Sequence, residues 1–301
     1  VKEVEDDLET DAYIVPSLVL NSFSDANLRV WKKIVEEFID IVDEEGRKIP
    51  VFASLPFSGD RLKKDEQRNK LLNRITSLDV DGFYISPKYD YENSYPLVGY
   101  KRVSSLLKML KSLKEGHNRY EIIMGHSHYV AHLYFGLGIN AFASGHYKNV
   151  RRMDLRRVDP EHEQGGGSHS YEYYTDHLLA DLKLNDLTIL DDHGYISNIR
   201  MNSPYEEDLF EGQLDDPDEI GWTLRGDSWD HYLWSCYKIS RKYRNKDKQE
   251  RRETTQQVLN SARELFGKMQ EDGIILEGVD KRVYAHWSTA FNKVTPDEDT
   301  T

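Results

Sequence analysis

The amino-acid sequence predicts an α/β fold, a TIM-like (β/α) barrel followed by a mainly helical C-terminal region. Through the first half, short apolar or β-branched runs alternate with longer amphipathic segments, which is typical of a parallel sheet. No glycine fingerprint of a dinucleotide-binding sheet interrupts this alternation, which favours a barrel. Only five strands are recognisable, so one interpretation is that the chain holds the C-terminal five strands of a barrel.

Each element follows from a local pattern. Strands are predicted at 12–20, 49–55, 81–86, 121–124 and 140–144. After the first strand, Ser24 or Asp25 can cap a helix whose apolar residues recur at helical spacing from Leu28 to Val42. The same spacing follows the second strand at 71–78 and the third at 103–113.

The second half has a different texture. The pattern predicts a barrel portion at 1–157, an exposed glycine-rich loop at 158–175 and a helical region at 176–301. Helices are expected at 174–190, 229–244 and 254–269, with an acidic loop at 203–219 between the first two. The tryptophans of this half are expected to pack helices together.

Composition limits the classes of function. The 301 residues carry a net charge of -13, so an anion site must be local rather than spread over the surface. The single cysteine excludes a disulfide framework and any metal site built from clustered thiolates. No apolar run reaches the length of a membrane span, and the acidic start does not resemble a signal peptide, so a soluble, cytoplasmic protein without membrane partners is expected. The first residue is Val1, which suggests a piece of a longer chain.

The loops that follow the five predicted strands are the candidate site, because ligands of parallel α/β folds sit at the carboxyl ends of strands. His126 lies in the loop directly after the fourth strand, where its side chain can point into the mouth. On a helical wheel, His128 and His132 fall together on the side away from the apolar residues, and both are expected to face solvent. A zinc site at this pair would need a further acidic ligand.

Two basic segments stand out in this acidic chain. The first opens with Ser144 and Gly145 and crowds together five cations, Lys148, Arg151, Arg152, Arg156 and Arg157. Free backbone N–H groups beside such side chains suit a phosphate or a nucleic-acid backbone. The alternative is a solvated basic surface balanced by acidic loops. The second segment spans 238–252.

The stretch "EIIMG…GINAFASGHYKNVRR" resembles the last two strands of the tRNA-guanine transglycosylase superfamily, over about residues 80–155. These β/α barrels exchange a base in nucleic acid for a 7-deazaguanine. The resemblance implies that Met124 and Gly125 lie against the base, that Arg152 meets the ribose-phosphate, and that Lys148 or Asn149 lies near the family's other arginine. The chain departs from the family at Ala143, where the nucleophilic aspartate would stand, and it lacks the cysteine-rich zinc site.

Roles can be assigned on this basis. The expected catalytic residues are Asp90, His126 and Asp154, since a carboxylate is needed to displace a base from the sugar. The expected substrate contacts are Ser86, Met124, Gly125, Ser144, Gly145 and His146. The expected phosphate ligands are Lys148, Asn149, Arg151 and Arg152. Neither a metal nor another cofactor is expected.

The resulting expectation is a transglycosylase-like enzyme that replaces a guanine in DNA or RNA by a 7-deazaguanine, for instance in DNA modification. Its partners would be nucleic acid and a 7-deazaguanine-type base. One alternative is a phosphate-handling or metal-assisted hydrolase that uses His126, His128 and His146. Another is a catalytically inactive barrel that binds nucleic acid or protein, which Ala143 favours. The catalytic groups could also lie before Val1.

Overall fold

The structure is a computed structural model, which describes residues 10–89, 97–116, 120–147, 150–154, 172–211, 214, 221–223 and 226–296. Three residues of the predicted site, Asp90, Lys148 and Asn149, lie outside the described residues, as do Arg156, Arg157 and most of the glycine-rich loop. The predictions made for them stay predictions.

A five-stranded parallel sheet forms the first half. Its strands are β1 (Tyr13–Val15), β2 (Val51–Ser58), β3 (Gly82–Lys88), β4 (Glu121–Met124) and β5 (Ala141–Phe142). They lie side by side in chain order, each hydrogen-bonded in parallel to the next. The five predicted strands and the parallel sheet are confirmed. In the described part of the chain β1 and β5 are the outer strands, so the sheet is open.

Helices connect the strands. They are α1 (Asp25–Glu44), α2 (Asp65–Ile75), α3 (Tyr100–Gly116) and the short α4 (Ala131–Gly136), with a single 3-10 turn at Gly59–Lys63. The Ser24 hydroxyl caps α1 by accepting the Asn27 N–H at 3.2 Å, as the sequence predicts. Leu28, Trp31 and Val35 on α1 are buried, so the apolar stripe packs on the sheet.

The second half begins with an antiparallel hairpin, β6 (Glu172–Thr175) and β7 (Ala180–Lys183). The helix predicted at 174–190 is therefore wrong over its first half, because Tyr173, Tyr174 and Thr175 favour a strand and Leu179 takes a left-handed turn conformation with φ +48°. Six helices follow in the described chain: α5 (Leu184–Asp192), α6 (Ile196–Ile199), α7 (Glu207–Glu211), α8 (Asp227–Tyr243), α9 (Lys248–Glu271) and α10 (Arg282–Val294). The predicted helices at 229–244 and 254–269 are confirmed as α8 and α9.

One continuous core joins the two halves. Helix α10 packs on α3, and the buried Trp287 indole N–H donates to the Leu97 carbonyl at 2.8 Å. The Tyr284 hydroxyl donates to the Leu178 carbonyl at 2.7 Å, which ties α10 to the hairpin turn as well. Trp222 and Trp287 are fully buried, in agreement with a packing role for these tryptophans.

Among the described helices, none is both long enough and apolar enough to cross a membrane.

Candidate functional site

The carboxyl ends of strands β3 and β4 and the loop after β5 meet at one small cavity. Gly125, His126, Arg151 and Arg152 all line it, so the parallel sheet brings together residues that are far apart in sequence. The cavity measures about 20 Å³, which is close to the minimum that holds one water molecule. A purine base does not fit into this space as it stands.

Two predicted substrate residues of β3 and β4, Ser86 and Met124, are not among the lining residues of this cavity. Met124 and Ser86 are buried, and Met124 belongs to the hydrophobic core. Gly125 lies so close to β3 that a Cβ atom there would stand 2.3 Å from the Ser86 Oγ. A glycine is required here for packing, whatever its part in binding. His126 is exposed in a left-handed conformation with φ +50°, and its Nδ1 lies 3.2 Å from the Val150 carbonyl oxygen.

The loop after β5 turns toward α8. The Ser144 hydroxyl lies 2.7 Å from the Tyr232 hydroxyl. The His146 ring packs against Tyr147 and against Trp229 of α8, with ring centroids 4.3 and 4.6 Å away. Gly145 contacts Val150, where a Cβ would meet the valine at 2.0 Å. These predicted substrate residues therefore attach the strand end to α8.

Arg151 and Arg152 have different environments. Arg151 is buried, donates to Asp181 Oδ1 at 2.9 Å and to the His146 carbonyl at 2.9 Å, and lies with its Cζ 3.2 Å from the Tyr232 ring centroid. Arg152 is half-buried and reaches Asp154 Oδ2 at 3.5 Å. Since the donors of Arg151 are engaged inside the protein, its environment favours a structural role over phosphate binding.

The prediction that His128 and His132 face solvent is wrong. Both are buried, because the short helix α4 packs against the helices α3, α8 and α9. His128 stacks on Trp287, and the His132 Nε2–H donates to Asp176 Oδ1 at 2.5 Å. The wheel treated the polar side as exposed and could not include a helix more than a hundred residues away.

A metal-assisted mechanism through His126, His128 and His146 finds no support in the geometry. Within the described ranges there is no group of three or more His, Cys, Asp or Glu side chains that could hold a metal ion. His128 is buried against Trp287, whereas His146 packs on Trp229. His126 and His128 both line the strand-end cavity, but His146 is not among its lining residues.

The second basic segment divides into two parts. Arg252 is buried and donates to the Thr295 and Pro296 carbonyls at 2.7 Å, while Lys248 pairs with Glu115 at 3.3 Å. These cations hold α9 in place. Lys238 and Arg241, on the last turns of α8, are exposed instead.

Aromatic and cationic side chains share one exposed stripe of α8. Trp234, Tyr237, Lys238 and Arg241 follow the i, i+3, i+4, i+7 spacing of one helix side, and we name this set the α8 face. Tyr237 is 57% exposed. The Lys238 Nζ lies 5.1 Å from the Trp234 ring centroid, and the Arg241 Cζ lies 5.9 Å from that of Tyr237.

Cations at a helix C-terminus also stabilise the helix through its dipole, by about 0.3–1 kcal/mol each. Their position alone therefore does not indicate a ligand. The exposed Tyr237 and the half-exposed Trp234 on the same helix side have no such structural explanation, because burying these rings would stabilise the fold. The combination is typical of surfaces that bind single-stranded nucleic acid.

The N-terminal part of α8 contacts the loop after β5 through Trp229, which is not part of the α8 face. Trp229, two turns earlier on α8, packs its ring on Tyr147 at 4.5 Å between centroids as well as on His146. At 1.5 Å per residue, the twelve residues from Trp229 to Arg241 span roughly 18 Å. That length corresponds to a few nucleotides of extended single strand.

A larger cavity lies beside the α8 face. It occupies about 610 Å³ between the C-terminal half of α8, the N-terminal half of α9 and the turn after β6, and we name it the α8–α9 cavity. Its cationic lining residues are Lys238, Arg241, Lys242 and Lys246.

Asp176 supplies a carboxylate to the α8–α9 cavity. It accepts hydrogen bonds from His132 at 2.5 Å and from the Tyr174 hydroxyl at 3.1 Å, and it pairs with Lys242. Burial by itself would raise the pKa of Asp176, but the neighbouring His132 and Lys242 outweigh this effect and hold that pKa well below its usual range. The carboxylate of Asp176 is thus already paired with Lys242 and hydrogen-bonded to His132.

No protein-family model matches the chain, and no curated protein or solved structure is significantly similar to it. We therefore infer the function of the protein from its residues and their geometry.

Two features of the site were missed from the sequence. The run 229–244 was predicted to be a helix that serves packing. The sequence nevertheless holds a signal for the α8 face, because aromatic and basic residues of this run recur at helical spacing. The Asp176 network had no usable signal, because His132, the pair Tyr174 and Asp176, and Lys242 come from three separate segments.

Proposed function

We propose that this protein binds single-stranded nucleic acid along the α8 face and directs it toward the carboxyl ends of the parallel strands. The observation that carries the proposal is the exposed stripe of Trp234, Tyr237, Lys238 and Arg241. Trp229, nearer the start of the same helix, contacts the loop after β5. Stacking of a base on an aromatic side chain contributes about 1–3 kcal/mol, and cations beside it follow the phosphates.

A single strand suits this surface better than a duplex. Aromatic side chains stack only on bases that are already unstacked from their neighbours. The segment 238–252 carries eight Lys or Arg against two Asp or Glu, so this region attracts phosphates locally although the chain has a net charge of -13. Binding should weaken steeply with salt, as counterion release requires.

Replacing Tyr237 by alanine is expected to weaken binding of a labelled single-stranded oligonucleotide by about fivefold or more, because one stacking platform of about 1–3 kcal/mol is lost. Fluorescence anisotropy with DNA and RNA of the same sequence measures the change. Tyr205→Ala is the matched control, since Tyr205 is another exposed tyrosine, 38% accessible, outside the α8 face. Equal affinity of Tyr237→Ala and the unaltered protein would remove this ring from the binding surface.

We also propose that the parallel sheet is part of a (β/α) barrel. Its support is the strand order, because parallel strands in unbroken chain order are typical of barrels, whereas doubly wound sheets reverse their order. Further support comes from the outer edge beside β1, where apolar side chains are unusually accessible. Ile14 of β1 and Leu18 shortly after it are 49% and 59% exposed there. Additional β/α units packed on this edge would cover them.

Base exchange is the second candidate function, and one observation favours it. Asp154 lies 3.5 Å from Arg152, which lines the rim of the strand-end cavity together with His126 and Gly125. From this rim its carboxylate could attack the sugar C1′ as the base leaves, the role for which Ala143 has no functional group. Because the cavity admits about one water molecule, side chains at its mouth must move before a base enters.

Incubation with labelled guanine and a guanine-containing single strand tests this second candidate. Base exchange predicts label in the nucleic acid and its loss in Asp154→Asn, with Asp60→Asn as the control, since Asp60 is a second strand-end carboxylate and pairs with Arg102 at 2.9 Å. If label is not incorporated although the strand is bound, the protein is a binding module, the remaining alternative from the sequence.

A further inference from the structure

We infer that the α8–α9 cavity binds a nucleoside phosphate, a ligand different from the single strand proposed for the α8 face. The two sites share Lys238 and Arg241, whereas Lys242 and Lys246 belong to the cavity alone. The inference stands on the charge, shape and rigidity of the cavity.

The charge of the lining calls for an anion. Within the described residues, Lys238, Arg241 and Lys246 have no carboxylate at ion-pairing distance, and Lys246 donates instead to the Thr254 hydroxyl at 2.7 Å. The one acidic side chain of the lining, Asp176, is already paired with Lys242 and His132. Three cations therefore face the space without compensation, which suits the two or three negative charges of a phosphate or diphosphate.

The shape of the cavity calls for more than an inorganic anion. Its volume of about 610 Å³ lies within the range of about 300–1,000 Å³ that is usual for small-molecule sites. Val258 and Ala262 of α9 and Met201, which follows α6, contribute apolar surface to the lining. A flat, largely apolar nucleobase fits against that wall while its phosphates meet the cations.

Polar groups for recognising a base lie on the same wall. Gln257 and Ser261 stand one turn apart on α9 and both line the cavity. A glutamine amide offers a donor and an acceptor together, which matches the edge of a purine or pyrimidine. The wall thus combines apolar surface with a few hydrogen-bonding groups, as ligand sites usually do.

The floor of the cavity is rigid before any ligand arrives. Asp176 is held by His132, Tyr174 and Lys242, and its own backbone N–H donates to Met201 Sδ at 3.2 Å. Behind it, the Tyr243 hydroxyl lies 2.9 Å from His132 Nδ1 and 3.1 Å from the Thr255 hydroxyl. Such preorganisation lowers the entropy that binding costs.

The geometry favours binding over chemistry at this cavity. In an acid–base dyad the histidine faces the substrate and the carboxylate lies behind it. Here the order is reversed, since His132 is fully buried and both of its ring nitrogens are occupied, whereas Asp176 lines the space. We therefore assign recognition, and no reaction, to the site.

Isothermal titration of the full chain with adenosine diphosphate, guanosine diphosphate, pyrophosphate and adenosine tests the inference. At least one of the two nucleotides should bind saturably and more tightly than both pyrophosphate and adenosine. Lys246→Ala should weaken that nucleotide by about tenfold or more, because a charge-assisted contact is lost, and Lys246→Arg should restore most of the affinity. Arg263→Ala is the matched control, since Arg263 is an exposed cation of α9 outside the cavity.

Each failure has its own signature. Absence of saturable binding, equal binding of pyrophosphate and nucleotide, or an unchanged affinity in Lys246→Ala would overturn the inference. Tyr237→Ala lies outside the cavity lining and should bind the nucleotide normally while losing affinity for the oligonucleotide. A chain that binds the nucleotide but no oligonucleotide would refute the function proposed for the α8 face and leave the cavity site standing.

Discussion

Replacing Arg151 by alanine is expected to lower the free energy of unfolding by about 3–5 kcal/mol, the cost of breaking a buried ion pair from one side. Asp181 would remain as a buried carboxylate, with side-chain exposure of 3%, and its Oδ2 already has no hydrogen-bond partner in the described structure. The loop after β5 would also lose the donors that hold the Gly145 and His146 carbonyls. Urea unfolding followed by circular dichroism measures the effect.

Arg152→Ala is the matched control for this experiment. Arg152 follows directly in the chain, but it is half-buried and reaches Asp154 only at 3.5 Å. An ion pair of that kind contributes about 0–1 kcal/mol. A small effect of Arg151→Ala, comparable with that of the control, would show that Arg151 is not structural and would return it to the phosphate ligands predicted from the sequence.

Asp176→Asn is expected to lower the free energy of unfolding at neutral pH by roughly 3 kcal/mol, the lower end for a broken buried ion pair. Asparagine can still accept from His132 or Tyr174, but it has no charge to offset His132 and Lys242. Lys242 is 36% exposed in its side chain and can turn to solvent, which limits the loss. Tyr174→Phe, which removes one neutral donor, should cost less.

The same residue gives a dependence on pH. The pKa of Asp176 is held below its usual value in the folded chain, against the opposing effect of burial, by His132 and Lys242. A depressed folded-state pKa contributes stability above the unfolded-state pKa of about 3.9, and this contribution falls as the pH drops from about 5 toward the folded value. The unaltered protein should therefore lose stability over that acidic range, and Asp176→Asn should lose less over the same interval. Parallel acid curves for the two proteins would contradict the assignment.

How much of the fold the sequence predicts depends on the range of the determining contacts. The strands 51–58 and 82–88 and helix α1 are specified locally, by apolar runs and by the Ser24 cap, and these predictions are confirmed. The helix predicted at 174–190 is found only from Leu184 onward. In the preceding hairpin, the strand preference of Tyr173, Tyr174 and Thr175 and the packing of β6 on α8 agree.

The candidate site divides in the same way. That Gly125, His126 and Arg152 meet at one edge follows from parallel strand direction, which the sequence reveals. The burial of His132 and Arg151 does not follow, because their partners Asp176 and Asp181 lie in the hairpin, beyond the glycine-rich loop. A histidine or arginine in sequence carries no sign of the carboxylate that a distant segment brings to it.

Photochemical cross-linking of a single-stranded oligonucleotide to the protein, with the attachment sites mapped by mass spectrometry, shows directly whether a single strand binds along the α8 face. We expect adducts at Tyr237 and Trp234, and further adducts at Tyr147 or Trp229 toward the strand end. High salt should suppress all of them. Adducts confined to aromatic residues elsewhere, such as Tyr205 or Tyr195, or no salt-sensitive adduct at all, would contradict binding along the α8 face.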